Sequence, residues 1–363
     1  MAEIMITTVI PTFRRPTLLK RAIESVLAQS FKGLTVCVYD NASGDETESI
    51  VRAFSERDSR VIYYKNSKNI GGVANMIQGL SAVATPFYSL LSDDDFLLPG
   101  FYEEAIKEFK SNPDIGFVCS KTIVIDLIDK KIQYRNQDWA AGLYAPSNEI
   151  VSKMHSSHFV STGVLFSKQV RGSIGLFDPS GSDSLYMIMA AASFPFVVLE
   201  NYGAALTLHE NAYSMMGEGI AKESVLTLYE HLLYTVGNVM NLSLPVDQKI
   251  HVLMHILKAY QQHFDTKKLN YLIGKNNEDG VENIIRLPSL ITNRGLIAKF
   301  YGVIPARAHS LVTVFFKLTR YVKRMLSRES KIGWVELPED ALKLLDGHNS
   351  DVSKLMLYLQ PNP

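Results

Sequence analysis

Cysteine is nearly missing from this chain: 363 residues contain two, Cys37 and Cys119. Each lies inside an apolar, strand-like run, where a buried thiol fits better than a disulfide or a zinc cluster. The expectation is a reducing, cytoplasmic setting. An excess of either charge is missing as well. Thirty-seven Lys and Arg balance 37 Asp and Glu, which argues against a general attraction to nucleic acid. No apolar run reaches the about 18–20 residues needed to span a bilayer, and no basic leader or small-residue cleavage site precedes the first strand, so no signal peptide is expected. There is no internal repeat and no low-complexity tract. The loop after the first strand, Pro11 to Pro16, has no glycine, which counts against the Gly-x-Gly-x-x-Gly fingerprint of dinucleotide oxidoreductases. It also counts against a sugar-phosphate nucleotidylyltransferase, whose first loop is usually glycine-rich with a basic residue.

What is present is an ordinary globular composition, 47% hydrophobic and 20% charged, with length for one large or two ordinary domains. In the first half, strand and helix patterns alternate. Ile4–Ile10 reads as a buried strand and Pro16–Gln29 as a helix with apolar residues at helical spacing. Leu34–Tyr39 is a second strand, followed by a helix that opens on Asp45-Glu46-Thr47-Glu48 and runs to about Phe54. Val61–Tyr64, a helix over Gly72–Val83, and Phe87–Leu91 continue the alternation. The pattern predicts a mostly parallel α/β sheet with helices on both faces. From Ile115 to about His209 it becomes β-rich, with strands expected at Phe117–Ile125, Phe159–Phe166 and Phe196–Leu199 and a helix at Ser184–Ala192. After Ala221 helical patterns dominate, which suggests a boundary near Glu218–Glu223.

Directly behind the Phe87–Leu91 strand stands Ser92-Asp93-Asp94-Asp95. Adjacent carboxylates stay ionised together when a cation or solvent compensates them, and hard oxygen ligands suit Mg²⁺ or Mn²⁺, whose usual companion is phosphate. The competing reading is a solvated turn that caps a helix starting near Pro99. Placement favours the first, because Thr12–Arg15, Asp40–Ser43 and Asp93–Asp95 all fall at carboxyl ends of strands, where parallel sheets bind their ligands.

Five segments in order carry a resemblance: Val9-Ile10-Pro11-Thr12-Phe13-Arg14-Arg15-Pro16, Ala22–Ser30, Val38-Tyr39-Asp40-Asn41-Ala42-Ser43-Gly44-Asp45-Glu46-Thr47, Asn69-Ile70-Gly71-Gly72-Val73-Ala74-Asn75, and the acidic run. Together they resemble a family-2 glycosyltransferase of the GT-A fold over roughly Met5 to Tyr213. That resemblance implies a Rossmann-like sheet flanked by helices and a catalytic domain over 1–220, divided into a nucleotide-sugar half (1–115) and an acceptor half (116–220). A helical carboxy-terminal region of 221–363 would follow. It implies a metal-dependent enzyme moving a sugar from a nucleotide-diphosphate sugar to a saccharide or lipid-linked saccharide, as in bacterial surface polysaccharide synthesis.

The resemblance also assigns roles. Pro11, Thr12, Phe13 and Arg14 would lie along the nucleotide. Asp40 would accept from the base, unless it only closes an Asx turn with Asn41. Asn69, Gly71 and Asn75 would line the donor, although the glycines could equally just make a turn. Arg14 reads either as a phosphate contact or as a solvated helix-start residue. In the acidic run the register is ambiguous: Asp94 or Asp95 is assigned to a divalent ion (Mn²⁺ or Mg²⁺) and Asp93 to the ribose or the metal. Downstream, Ser161–Phe166 resembles the acceptor-side strand, and Gly175-Leu176-Phe177-Asp178-Pro179 followed by Ser182-Asp183 matches the segment that carries the catalytic base. Asp183 is then the base of an inverting reaction or simply a helix cap, with Asp178 as fallback. His209, in Leu206–Ser214, would complete the metal shell or serve a structural purpose, and Thr207 stands where many relatives have arginine. A catalytically degenerate relative that binds a nucleotide or a partner is the non-enzyme alternative.

In the carboxy-terminal region, Lys249–Tyr260 reads as an amphipathic helix with Ile250, Leu253, Ile256 and Leu257 on one face. Residues 294–331 carry nine Lys or Arg against one acidic residue, Glu329, interleaved with aromatic and aliphatic side chains. Such a stretch can lie on an anionic membrane or pack on the catalytic domain with its basic face in water. A peripheral position at the inner face of the cell membrane follows from the first option.

Overall fold

The computed structural model describes residues 4–177, 181–210, 225–273 and 335–336, with side chains described throughout except at 225–229, 261–273 and 335–336. In the first half, short βα units follow one another: β1 (Ile6–Thr12), α1 (Pro16–Leu27), β2 (Leu34–Asp40), α2 (Thr47–Arg57), β3 (Val61–Lys65), α3 (Gly72–Ser81), β4 (Phe87–Leu90), β5 (Phe96–Leu97) and α4 (Phe101–Ser111). The second half has β6 (Phe117–Asp126), β7 (Lys131–Arg135), β8 (Gly142–Tyr144), α5 (Asn148–Ser156), a 3₁₀ turn (Ser161–Gly163), β9 (Val164–Ser167), α6 (Lys168–Ile174), α7 (Asp183–Ser193) and β10 (Phe196–Leu208). Then come α8 (Val225–Asn241), α9 (Val246–Ile273) and β11 (Val335–Glu336).

Among the described residues the strands form one sheet in the order β11-β7-β6-β9-β4-β1-β2-β3, with β10 pairing β5, β6 and β8 off that path. The amino-terminal part is parallel as expected: β1 pairs with β2 and β4, and β2 with β3. Strand β9 enters antiparallel between β4 and β6, so the sheet as a whole is mixed. Side chains alternate across it, as the period of two requires. Ile6 and Ile10 join the helices α1, α2 and α4 in one apolar cluster. Val9, Cys37 and Tyr39 face the other way, toward α3, α5, α7 and α9. Both cysteines are buried and free. Within the expected amphipathic helix, Leu253 and Ile256 are buried and belong to that second cluster.

Two elements differ from expectation. Strand β10 runs to Leu208 rather than ending at Leu199, because it pairs with β6 on both sides of an irregularity between Val198 and Ala204. The polar pair Glu200-Asn201 at that break is exposed, which hides the continuation in the pattern. The strand expected at Phe159–Phe166 begins only at Val164, since Ser161–Gly163 turns in a 3₁₀ helix. Among the described residues no helix is long and apolar enough to cross a membrane. Asp178, the 218–223 boundary and the basic stretch 294–331 lie outside the described residues.

Candidate active site

Parallel pairing brings three strand ends to one edge. Thr12, the last residue of β1, pairs in register with Asp40, the last residue of β2. Beyond β4, Leu91 still donates its N–H to Val9 O at 3.0 Å, and the acidic run follows immediately. The run turns tightly, with Asp95 N donating to Ser92 O at 3.1 Å. All three carboxylates are buried, with Asp93, Asp94 and Asp95 exposed by 3%, 8% and 5%. That removes the solvated-turn reading. Helix α4 is instead preceded by Gly100, whose φ of 87° lies in the left-handed region, with no side-chain cap.

Each carboxylate faces a different partner. Asp93 accepts from Thr12 Oγ1 (2.7 Å) and Arg15 Nη1 (2.9 Å). Asp94 accepts through Oδ2 from the same Arg15 Nη1 at 2.9 Å, and that oxygen lies 3.3 Å from His209 Nε2. Asp95 points inward, accepting from Thr162 Oγ1 and from the Thr207 backbone N–H, both at 2.9 Å. Both oxygens of Asp95 are thus engaged within the protein, which leaves Asp94 as the member of the run whose carboxylate meets His209. Burial, reinforced by the charge of Asp94, pushes the Asp93 carboxyl up to about 6 and holds that of Asp95 well above the ordinary carboxylate range.

A second cation lies beneath. Arg21, 2% exposed, donates from Nη2 to Asp94 O (2.6 Å) and to Thr207 Oγ1 (2.9 Å), and its guanidinium sits 4.8 Å from the Phe96 ring centroid. Burial lowers its pKa to about 10, against the opposing pull of Asp95 and Asp94. Arg21 belongs to a buried polar stripe that begins on α1 and continues just past its end, spaced at i, i+4 and i+8. Ser25 Oγ accepts from Leu97 N (3.1 Å), while Gln29 donates to Leu98 O (2.9 Å) and accepts from Tyr102 N (3.2 Å). The stripe grips the backbone that follows the acidic run and sets where the run points.

Asp183 opens α7, with Ser182 as its cap, accepting from Leu185 N at 3.4 Å. The Asp183 carboxylate is therefore free of the capping duty and instead accepts from Ser161 N at 3.1 Å. Burial raises its pKa, against the Ser161 hydrogen bonds and the charge of Arg135. Because Thr162 holds Asp95, two consecutive residues of one 3₁₀ turn hold Asp183 and the acidic run. This explains the late start of β9: an extended backbone would send successive groups to opposite faces.

On the other flank, Phe13 is 36% exposed and has the Arg14 guanidinium 5.1 Å from its ring centroid. Arg14 adopts a left-handed φ of 55°, fixed by its N–H to Ser43 Oγ (2.9 Å) and its Nε to Ser43 O (3.0 Å). Pro11 pairs with Tyr39 in the β1–β2 ladder. Asp40, 1% exposed, accepts from Ser43 N (2.9 Å) and from Tyr63 Oη (2.6 Å). Four asparagines form a network beside it. Asn41 donates to Asn69 (2.9 Å) and accepts from Ile70 N (2.9 Å); Asn69 also accepts from Gly71 N (2.8 Å). Asn66 donates to Asn75 (2.9 Å), and Asn75 donates to Tyr39 O (2.8 Å). Gly71 precedes α3 with a φ of 90°, a conformation L side chains rarely adopt.

Residues 7–174 match the family model "Glycosyl transferase family 2". This segment is a family 2 glycosyltransferase domain. It is 38% identical over 96 residues to a GalNAc(5)-diNAcBac-PP-undecaprenol beta-1,3-glucosyltransferase of Campylobacter jejuni, covering 26% of this chain and 31% of that protein. The abequosyltransferase RfbV of Salmonella typhimurium is 26% identical over 169 residues, covering 45% of this chain and 50% of that one. The chain spans about half or less of the length of these curated relatives. Among solved structures, S. aureus TarS 1-349 in complex with UDP-GlcNAc superposes with a TM-score of 0.60 over 85% of this chain and 83% of that chain, at 17% identity. At that identity the likeness is one of fold.

In the transferase domain the sequence reading passed over Arg21, Thr162, Tyr63 and Asn66. Arg21 has a legible signal, since an arginine, a serine and a glutamine at i, i+4 and i+8 flank the apolar stripe of α1. Thr162 and Tyr63 have none, because their partners are 67 and 23 residues away in sequence.

Proposed function

We propose that the chain is a metal-dependent glycosyltransferase that moves a sugar from a nucleotide-diphosphate sugar to a saccharide or lipid-linked saccharide, with inversion at the anomeric carbon. The observation that carries this reading is the 3₁₀ turn: Ser161 N and Thr162 Oγ1 hold Asp183 and Asp95 at one end of the sheet. A carboxylate of raised proton affinity therefore belongs to the same framework as the acidic run. Asp183, as base, takes the proton of the acceptor hydroxyl as that oxygen attacks the anomeric carbon. Pro11 to Arg14, Asp40 and the Asn69–Asn75 segment flank the nucleotide, and Asp93 lies toward the ribose and phosphates.

The donor set suits a divalent ion. Asp94 Oδ2 and His209 Nε2 lie 3.3 Å apart, and among the described residues no group of three His, Cys, Asp or Glu converges on a metal. Two protein ligands leave positions for phosphate and water, and a carboxylate with an imidazole nitrogen suits Mn²⁺ better than Mg²⁺, which prefers oxygen ligands alone. When bound, such an ion neutralises charge on the departing nucleotide diphosphate. Arg21 holds Asp94 O and Thr207 Oγ1, and Asp95 holds the Thr207 N–H, so together they fix the frame of the carboxylate that would hold such an ion.

The relatives' names support the substrate classes: an undecaprenol-linked saccharide for the Campylobacter enzyme and UDP-GlcNAc for TarS. Bacterial surface polysaccharide synthesis, a division into a catalytic domain (1–220) and a helical region (221–363), and peripheral membrane contact through 294–331 belong to the same proposal.

Thermal shift with nucleotides and nucleotide-sugars, with and without Mn²⁺, followed by transfer assays on lipid-linked acceptors, tests it. The expected result is a metal-dependent shift with one nucleotide, about 2.7 kcal/mol of stabilisation at a hundredfold excess over Kd. Asp183→Asn should keep that shift and lose transfer by about 10²- to 10⁴-fold. Transfer that survives in Asp183→Asn rejects the base assignment.

A further inference from the structure

We propose that Arg15 is a resident counter-cation of the acidic run, one that yields Asp94 when a divalent ion and a diphosphate enter and then pairs with the diphosphate. This rests on the reading of Asp94 and His209 as the ion's holders. One nitrogen, Arg15 Nη1, bridges Asp93 Oδ1 and Asp94 Oδ2, at 2.9 Å to each. Asp94 Oδ2 is the same oxygen that faces His209. An incoming cation and the guanidinium therefore compete for one atom, and their like charges repel.

The formal charges fit an exchange. Three carboxylates against Arg15 and Arg21 leave one negative charge; with Arg15 withdrawn there are two, the charge of one divalent ion. Of the two arginines Arg15 is the more exposed. Its side chain is 19% exposed, whereas Arg21 is 2% exposed and held by a main-chain carbonyl and by Thr207. Arg15 precedes α1 and caps it with no side-chain hydrogen bond, so its movement leaves the helix start intact. A guanidinium presents a planar fork that matches phosphate oxygens, which gives the displaced group a destination on the substrate itself. The acidic run thus remains compensated whether or not the donor is bound.

The test measures binding, on the full chain, by calorimetry. Mn²⁺ is titrated into nucleotide-free wild type, Asp94→Asn, Arg15→Gln and Arg15→Lys, and UDP is then titrated in the presence of saturating Mn²⁺. The expected result is that Arg15→Gln binds Mn²⁺ about three- to tenfold more tightly and UDP on the order of tenfold more weakly. Arg15→Lys keeps the charge without the fork, so its Mn²⁺ affinity stays near wild type while its UDP affinity falls. If both affinities fall together in Arg15→Gln, Arg15 is a structural brace and the proposal is overturned. Loss of Mn²⁺ binding in Asp94→Asn with no tightening in Arg15→Gln overturns the counter-cation role alone. Mn²⁺ binding that survives in Asp94→Asn overturns the metal assignment and this inference with it.

Discussion

Replacing Asp95 by asparagine and by alanine separates its structural duty from metal binding. In Asp95→Asn the amide oxygen can keep the Thr207 N–H, and the amide nitrogen can donate to Thr162 Oγ1, whose hydroxyl then accepts. Both hydrogen bonds at 2.9 Å survive, and the loss is the negative charge that compensates buried Arg21, worth about 1–2 kcal/mol. In Asp95→Ala the Thr207 N–H is left buried and unpaired, about 1–3 kcal/mol, the Thr162 bond is lost, about 1 kcal/mol, and the charge is lost too. The sum is about 3–6 kcal/mol, of the order expected when one partner of a buried charge network is removed. At about 2–4 °C per kcal/mol for a domain of this size, Asp95→Ala should melt well below Asp95→Asn, with midpoints read by intrinsic fluorescence. The same samples are then titrated with Mn²⁺. With Asp95 as frame and Asp94 as ligand, Asp95→Asn retains most of the metal response and Asp94→Asn loses it. Equal loss of metal binding in the two asparagine variants, at near-wild-type melting of Asp95→Asn, would refute this reasoning.

Other outcomes follow from single features. Tyr63→Phe removes the 2.6 Å donor to Asp40 and should weaken nucleotide binding about three- to tenfold if Asp40 reads the base; an unchanged Kd by calorimetry separates Asp40 from the donor. His155 and His255 lie 4.9 Å apart at the α5–α9 junction, with Lys258, His158 and His251 as the charged or titratable neighbours, and burial depresses them to about 4 and about 3. Their folded pKa values lie below the unfolded value near 6.5, so the unfolded chain binds more protons and stability falls as pH drops from about 6.5 toward 4. Melting scans across that window should show the loss, and His255→Phe should flatten it; an identical slope in the variant assigns the loss elsewhere. A Cβ at Gly203 would meet Ser120 Cβ at 2.6 Å and Phe101 Cδ2 at 2.7 Å, so Gly203→Ala should cost about 1–3 kcal/mol by overpacking, visible as a lower melting midpoint.

Much of the site's outline is legible along the chain because it comes from consecutive residues at strand ends. Thr12–Arg15, Asp40–Ser43 and Asp93–Asp95 each follow an apolar run, and parallel pairing carries such ends to one edge. The individual contacts are not legible. Thr162 reads as one more strand residue, and β10 reads as ending at Leu199, because sequence pattern reports local burial and not the partner a backbone group will find. The asparagines show the same limit. Asn41, Asn69 and Asn75 stand in motifs, while Asn66, equally engaged in the network, does not.

By itself the sequence determined the alternation of strands and helices, the parallel half of the sheet, and the edge on which polar residues collect. These depend on hydrophobic period and connection length, which are properties of neighbours in the chain. The tertiary structure alone decided which oxygen of the acidic run faces His209, which faces Thr162 and Thr207, and which arginine stays buried beneath them. Those assignments depend on atoms brought within 3.3 Å from segments up to 186 residues apart, and hydrogen-bond geometry at that range is set by packing, not by spacing.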